Sequence, residues 1–123
     1  MYTLDTNAII YFLKDDPQAV SVIQDIFTRQ TPIYISAITE VELLAFPKLT
    51  PNEEKRIEDI LRTLSIMPVD SRIAHTAGLI RRIYRLNIAD SVIAATAMFT
   101  GTTLLTRNTG DFQKIPELTV QKV

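Results

Sequence analysis

The sequence predicts an α/β fold in which a parallel β-sheet is covered by helices on both faces. Short apolar stretches typical of strands alternate along the 123 residues with longer stretches of helical spacing, which is the order that parallel sheets with helical crossovers produce. One helical stretch, Ala89–Phe99, is almost entirely apolar, so other elements must cover it on most sides. Hydrophobic residues form 46% of the chain and charged residues 22%, which is typical of one compact domain.

The first elements are a strand, two helices and a second strand. The strand Tyr2–Leu4 is followed by Asp5–Asn7, whose side chains are suited to cap a helix over Ala8–Leu13. Pro17 is suited to the first turn of a second helix, in which apolar residues recur three or four positions apart. The apolar triplet Ile33–Ile35 is the second strand.

The middle of the chain adds two helices and a third strand. Ser36 or Thr39 is suited to cap a helix over Thr39–Ala45, which ends before a proline. Pro51–Leu64 is again helical, since its apolar residues lie on one side and its charged residues on the other. Ile66–Val69 is a third, short strand.

The last third begins with two helices, Ile73–Leu86 and the apolar Ala89–Phe99, and ends with two strands, Thr102–Thr106 and Leu118–Val120. Ligands of parallel sheets bind beyond the carboxyl ends of the strands, where the strand order reverses. The polar residues that follow the predicted strands are therefore the candidates for a functional site.

Composition excludes several classes of site. The chain has no cysteine, which removes thiol catalysis, zinc–thiolate sites and iron–sulfur clusters. His75 is the single histidine, so no second imidazole shares a metal with it, and no serine has a histidine partner at a suggestive spacing. A glycine-rich phosphate loop is missing as well. The formal net charge is −1, so a polyanion would have to be bound locally rather than by a bulk positive field.

The start of the sequence lacks the basic and apolar blocks of a signal peptide. No apolar run approaches the ~20 residues that a membrane-spanning helix needs. We therefore expect a cytoplasmic protein that does not associate with a membrane.

Four acidic residues follow predicted strands or begin helices next to them: Asp5, Glu42, Asp90 and Asp111. Taken singly, three of them also suit a purely structural role, because Asp5 and Asp111 can cap helical turns and Asp90 complements a helix dipole. Helical spacing also does not distinguish Glu42 from Glu40. If the four acids meet in one cleft, their repulsion requires protons or cations. Hard oxygen ligands select Mg²⁺ or Mn²⁺. A divalent ion of this kind can polarise a phosphate and lower the pKa of a bound water, as phosphodiester hydrolysis needs.

Four segments together resemble, in order and spacing, the signatures of PIN-domain ribonucleases, and most closely those of the VapC-like toxins of bacterial and archaeal toxin–antitoxin pairs. The segments are Leu4-Asp5-Thr6-Asn7, Ser36-x-Ile38-Thr39-x-x-Glu42-Leu43, Ala89-Asp90-Ser91-x-Ile93-Ala94-Ala95-Thr96-Ala97 and Leu105-Thr106-Arg107-Asn108-x-x-Asp111-Phe112. The resemblance covers essentially the whole chain. It implies one PIN domain over residues 1–123, with a three-layer α/β/α architecture and a central parallel sheet of four or five strands.

The resemblance also implies roles for the acids. Asp5, Glu42 and Asp90 match the three most regular acids of the family, which hold the metal and, through it, the attacking water. Asp111 matches a fourth acid that part of the family carries. Many relatives have aspartate at the position of Asn108, and a neutral amide is a weaker ligand, so the number of metal ions stays open.

Five polar residues beside these acids have different expected roles. Thr6, Asn7, Thr106 and Asn108 are expected to orient carboxylates or water. Arg107 is left out of the site, because it is equally suited to meet a phosphate or to point into solvent.

The function implied by the resemblance is that of a Mg²⁺-dependent endoribonuclease, with Mn²⁺ as an alternative ion, that cuts RNA to leave a 5′-phosphate and a 3′-hydroxyl. The implied partners are a VapB-like antitoxin, whose C-terminal segment lies across the acidic cleft, and a second copy of the chain. Apolar residues of the first two helices and Leu44–Phe46 are candidate contact surfaces, although most of them also suit the core. No base-reading motif identifies the class of RNA.

Two alternatives belong to other classes. A PIN-like module that binds RNA without cutting it remains open if Asn108 weakens the metal site. A receiver-like signalling domain has a similar length and an acidic end to its parallel sheet, but it needs a pair of adjacent acids where Asp5 stands alone and a lysine where the chain has Thr106 and Arg107.

Overall fold

A computed structural model describes all residues of the chain, Met1–Val123, and contains a five-stranded sheet in which every pair of neighbouring strands is parallel. The strands are β1 (Tyr2–Leu4), β2 (Ile33–Ser36), β3 (Ser65–Met67), β4 (Thr103–Thr106) and β5 (Val120–Lys122). Their order in the sheet is β3-β2-β1-β4-β5. The predicted α/β/α fold class with a central parallel sheet is confirmed, and the sheet has the larger of the two predicted strand numbers.

Seven helices connect the strands: α1 (Thr6–Leu13), α2 (Pro17–Thr28), α3 (Ala37–Leu44), α4 (Pro51–Leu61), α5 (Ser71–Tyr84), α6 (Ile88–Thr100) and α7 (Thr109–Phe112). Six of them start after a side chain that accepts a hydrogen bond from a backbone N–H of the first turn: Asp5, Asp16, Ser36, Thr50, Asp70 and Asn87. These caps fix where each helix begins. None of the helices has both the length and the apolar character that crossing a bilayer requires.

The two faces of the sheet are covered by different helices. Helices α1, α2 and α4 pack on one face around Leu105, whereas α5, α6 and α7 pack on the other face around Leu104. Adjacent strand residues point to opposite faces, so this pair of leucines joins one strand to both cores. The segment Ser91–Ala97 of α6 is buried at every position, as its apolar sequence requires.

Most element boundaries differ from the sequence prediction by one to three residues, and three of these differences have a structural reason. β5 comprises Val120–Lys122 rather than Leu118–Val120, because Leu118 packs into the core beside α6 and the polar end of the chain forms an edge strand. Helix α4 ends at Leu61 rather than Leu64, since the last residues close in tighter turns. Ser36, not Thr39, caps α3.

The strand order reverses between β1 and β4. From β1 the chain proceeds outward through β2 and β3, and it then returns to build β4 and β5 on the other side. Leu4, the last residue of β1, pairs with Leu105 of β4, so Asp5 and Thr106 come next along the two segments, side by side. Such a reversal leaves a crevice at the carboxyl ends of the strands, and the candidate site lies there.

Candidate active site

Asp5 lies directly after the central strand and is only 3% exposed. Its backbone N–H donates to the carbonyl of Leu105 at 3.2 Å, which continues the sheet by one residue. Its Oδ1 accepts a hydrogen bond from the backbone N–H of Ala8 at 2.8 Å, so Asp5 is the N-cap of α1. Capping therefore engages Oδ1 of the carboxylate.

Burial raises the pKa of Asp5 from 3.8 to about 6. Hydrogen bonds from the Thr106 side chain and the Ala8 backbone oppose this rise, and the negative charges of Asp90 and Glu42 add to it. The charges act on Asp5 from two other elements, α6 and α3. The structure therefore brings three of the predicted acids within electrostatic reach of one another at the end of β1.

Glu42 projects from α3 and is held by α1. The hydroxyl of Thr6 donates to Glu42 Oε1 at 2.6 Å, and it also lies 3.2 Å from the hydroxyl oxygen of Thr39. Glu42 raises the pKa of both Asp5 and Asp90, whereas Glu40 affects neither. The geometry thus favours Glu42 over Glu40, a choice that helical spacing left open.

Asp90 lies in the first turn of α6 and is partly buried. Its backbone N–H donates to Asn87 Oδ1 at 2.7 Å, and Asn87 Nδ2 donates back to Asp90 Oδ2 at 3.3 Å. Burial raises the pKa of Asp90, the charges of Glu42 and Asp111 raise it further, and Asn87 lowers it. Asn87 was not among the predicted site residues, although an asparagine three residues before an acid is a local signal of helix capping.

Asp111 has a different environment from the other acids. Asn108 Nδ2 donates to Asp111 Oδ2 at 3.0 Å, and Lys114 Nζ forms an ion pair with Asp111 Oδ1 at 3.3 Å. Asn108 and Lys114 lower the pKa of Asp111. Lys114 was not predicted either, and its only signal in the sequence is its position three residues after Asp111.

The donor set suits a hard divalent cation by its chemistry. Asp5, Glu42 and Asp90 supply only carboxylate oxygens, and two of them have a raised pKa because charge is unfavourable there. No three acidic or histidine side chains are arranged in this conformation so that they could all hold one ion. Mg²⁺ usually takes one or two carboxylates and keeps several waters, so a pair of these carboxylates is sufficient.

A family model described as PIN domain matches residues 2–118. The chain belongs to the PIN domain family. This match covers all four acids and every helix and strand except β5, so the family resemblance of the sequence motifs is confirmed. It also removes support for the receiver-like alternative.

Relatives of this PIN domain are named as ribonucleases. Ribonuclease VapC1 of Rickettsia felis is 37% identical over 101 residues, which cover 73% of this chain and 75% of that protein. The tRNA(fMet)-specific endonuclease VapC of Salmonella typhimurium is 28% identical, with 98% of this chain and 96% of that protein covered. The crystal structure of DNA-bound VapBC from Salmonella typhimurium has a TM-score of 0.83 at 26% identity, covering 98% of this chain and 96% of that chain.

The polar residues expected to support the acids of this PIN domain divide into two groups. Thr6 donates to Glu42 and Asn108 donates to Asp111, and the side chain of Thr106 lowers the pKa of Asp5. Asn7 is exposed and holds none of them. Arg107 neither faces open solvent nor is free for a phosphate, because its guanidinium is paired with Asp16.

Proposed function

We propose that this PIN domain is a metal-dependent endoribonuclease that acts as the toxin of a VapBC-type toxin–antitoxin pair in the cytoplasm. The observation that carries the proposal is the mutual electrostatic effect of Asp5, Glu42 and Asp90 at the strand-order reversal. Carboxylates from three separate elements that lie within electrostatic reach of one another favour a cation between them. Membership of the PIN family and the ribonuclease names of the relatives support RNA as the substrate.

Asp5, Glu42 and Asp90 are the residues that would hold Mg²⁺ or Mn²⁺, with Asp111 as a further candidate. A divalent ion bound there would polarise a phosphate and lower the pKa of a bound water. The protein's own contribution is the positioning of the carboxylates: Thr6 orients Glu42 and Asn87 orients Asp90. With a pKa of about 6, Asp5 is largely ionised at neutral pH. Hydrolysis by water leaves a 5′-phosphate and a 3′-hydroxyl.

The proposed antitoxin contact is an apolar cleft between three helices. An open cleft of about 460 Å³ runs between α1, α3 and α4, lined by the apolar side chains of Ile10, Leu13, Leu43, Phe46, Leu49 and Ile57 among others. The helices α1 and α3 that line this cleft also hold the Thr6–Glu42 pair. We propose that a segment lying in the cleft continues along them toward the carboxylates, where an arginine pairs with two oxygens at once. Of the other surfaces considered from sequence, Ile9 and Ile23 are fully buried and are core. A homodimer through the remaining helical surface is part of the proposal.

An RNA cleavage assay tests the enzyme proposal. The wild type should cut RNA with Mn²⁺ or Mg²⁺ and should not cut it with EDTA, and Asp5→Asn and Glu42→Gln should be inactive. Glu40→Gln is the matched control, since Glu40 lies on the same helix and takes no part in the charge cluster. Cutting by the chelated wild type and by Asp5→Asn would contradict the proposal. Metal-independent RNA binding without any cutting would favour the non-catalytic PIN module instead.

A further inference from the structure

Arg107 has an unusually complete set of partners for a surface arginine. Its side chain is 27% exposed and that of Asp16 is 30% exposed. Nη1 and Nη2 donate to the two carboxylate oxygens of Asp16. Nε donates to the carbonyl oxygen of Val123 at 2.8 Å, and the guanidinium carbon lies 4.1 Å from the centre of the Tyr11 ring.

These contacts leave the guanidinium little capacity for a substrate phosphate. All three of its nitrogens are hydrogen-bonded and one of its faces is covered by an aromatic ring. A two-point pair between arginine and a carboxylate is also geometrically specific, because two parallel donors meet two acceptors. The pKa of Asp16 is lowered, mainly by its hydrogen bond from Arg107, as a close pair requires.

The partners of Arg107 connect the turn after β4 to elements on both sides of the candidate site. Asp16 caps α2, and Tyr11 belongs to α1, the helix that starts at Asp5. Val123 follows β5, and its backbone N–H donates to the carbonyl of Thr106 at 3.1 Å. One side chain therefore joins the connection between α1 and α2, the end of β5 and the turn after β4.

The two sequence neighbours of Arg107 are residues that hold the candidate carboxylates. Thr106 adjoins Leu105, whose carbonyl accepts from the backbone N–H of Asp5, and its side chain lowers the pKa of Asp5. The Thr106 Oγ1 accepts from the backbone N–H of Asn108 at 2.9 Å. Asn108 in turn donates to Asp111. A turn that is free to move would carry both of these groups away from their carboxylates.

We propose that Arg107 is a positioning residue whose guanidinium, stacked on Tyr11 and paired with Asp16, fixes the turn that presents Thr106 and Asn108 to the acids. The inference rests on the proposed nuclease function for its catalytic consequence. Its structural consequence, the rigidity of the turn, is independent of that function.

The chain supplies a matched control with the same chemistry at the opposite end of β1. Arg29 stacks over the ring of Tyr2 at 5.9 Å and donates to Asp25 Oδ2 at 2.8 Å. This arginine, aromatic and aspartate group contacts none of the four acids. The variant Arg29→Gln therefore measures the general effect on stability of losing such a cluster away from the candidate site.

The experiment compares Arg107→Gln, Arg107→Lys and Asp16→Asn with Arg29→Gln. Asp16→Asn is informative because asparagine retains the capping of α2 and loses only the ion pair. The first measurement is amide hydrogen exchange by NMR in EDTA, at the Asn108 N–H that bonds Thr106. We expect its protection to fall about tenfold or more in Arg107→Gln and Asp16→Asn, as for a locally opened segment, and to be unchanged in Arg29→Gln.

The second measurement is RNA cleavage with Mn²⁺. In Arg107→Gln and Asp16→Asn, a turn that no longer holds Thr106 and Asn108 in place should lower kcat by roughly 10- to 100-fold. The KM should change less than about twofold. Arg107→Lys should recover part of kcat, because lysine keeps the charge but not the two-point geometry.

Two results would overturn the inference. If Arg107→Gln raises KM and weakens RNA binding while Asp16→Asn behaves as wild type, Arg107 is a phosphate ligand. If protection falls equally throughout the protein, or equally in Arg29→Gln, the cluster contributes only to global stability. A wild type that does not cut RNA would defeat the proposed function, and the exchange measurement would still decide the role of Arg107. If Arg107→Gln does not fold, Asp16→Asn and Arg107→Lys carry the same comparison.

Discussion

We expect that replacing Asp5 with asparagine stabilises the protein at neutral pH when divalent ions are absent, although the same change abolishes the proposed activity. The side chain is 3% exposed, and its charge is unfavourable there because burial and two neighbouring acids disfavour ionisation. Asparagine has nearly the same shape and is as good an N-cap as aspartate. It can still accept the hydrogen bond from Ala8, so the variant removes the charge and little else.

The pKa of Asp5 gives the size and the sign of the effect. Folding raises this pKa from 3.8 to about 6, and each unit corresponds to about 1.4 kcal/mol, so the buried charge costs up to about 3 kcal/mol at neutral pH. Part of this gain is offset, because Thr106 loses a charged acceptor. We expect a net stabilisation of about 1–3 kcal/mol, or roughly 4–12 °C in Tm. The folded wild type binds a proton at Asp5 more tightly than the unfolded chain does. Its free energy of unfolding therefore falls as the pH rises from about 4 to about 6, where the folded protein loses that proton.

Urea unfolding in EDTA, at neutral pH and at about pH 3.5, measures the difference between variant and wild type. The gain should be present at neutral pH and should vanish at low pH, where Asp5 is protonated in both the folded and the unfolded wild type. Asp111→Asn is the control with the opposite sign, since Asn108 and Lys114 lower the pKa of Asp111 and its loss should not stabilise. An Asp5→Asn variant no more stable than wild type at neutral pH would refute the reasoning.

Three further outcomes are expected. The affinity for Mn²⁺, measured by calorimetry, should weaken as the pH falls from about 7 to about 5, because Asp5 takes up a proton with a pKa of about 6; a constant affinity would argue against Asp5 as a ligand. Thr6→Val should lower cleavage by roughly 10- to 100-fold with an unchanged circular dichroism spectrum, since Glu42 loses its hydrogen bond; full activity would show that this contact is dispensable. Gly101→Ala should destabilise the protein by about 1 kcal/mol in urea unfolding, because φ is +63° there. Gly78→Ala within α5 should instead stabilise it by about 0.5–1 kcal/mol, because alanine favours a helix more than glycine does. Effects of equal sign would contradict a backbone origin for the difference.

Much of the fold can be predicted from local sequence signals. Asp5 and Pro17 mark the starts of α1 and α2, and the apolar run of α6 requires coverage on most sides; all three signals depend on neighbouring residues. The edge strand β5 gives no comparable signal, because one side of an edge strand faces solvent and tolerates residues such as Gln121 and Lys122. Its pairing with β4 becomes evident only in three dimensions.

The candidate site divides in the same way between local and distant contacts. Family motifs in the sequence pointed to Glu42, and only contacts with distant residues, such as the hydrogen bond from Thr6, 36 residues away, distinguish it from Glu40. Asp16 and Arg107 are 91 residues apart, and no periodic pattern connects them. A pair of this kind is invisible to sequence patterns because the fold, not the spacing, brings its members together.

The acids of the site differ in how much they need a cation. Asp5 and Asp90 have a raised pKa, so their charges destabilise the folded protein when no counter-ion is present. Asp111 has a lowered pKa because Lys114 and Asn108 already compensate its charge. A bound cation would therefore stabilise the charges of Asp5 and Asp90 most. It would stabilise Asp111 least, because Lys114 already pairs with that carboxylate. Under the proposed function, a cation would therefore be held mainly where the central strand β1 and the buried helix α6 meet, and Asp111 would contribute least to holding it.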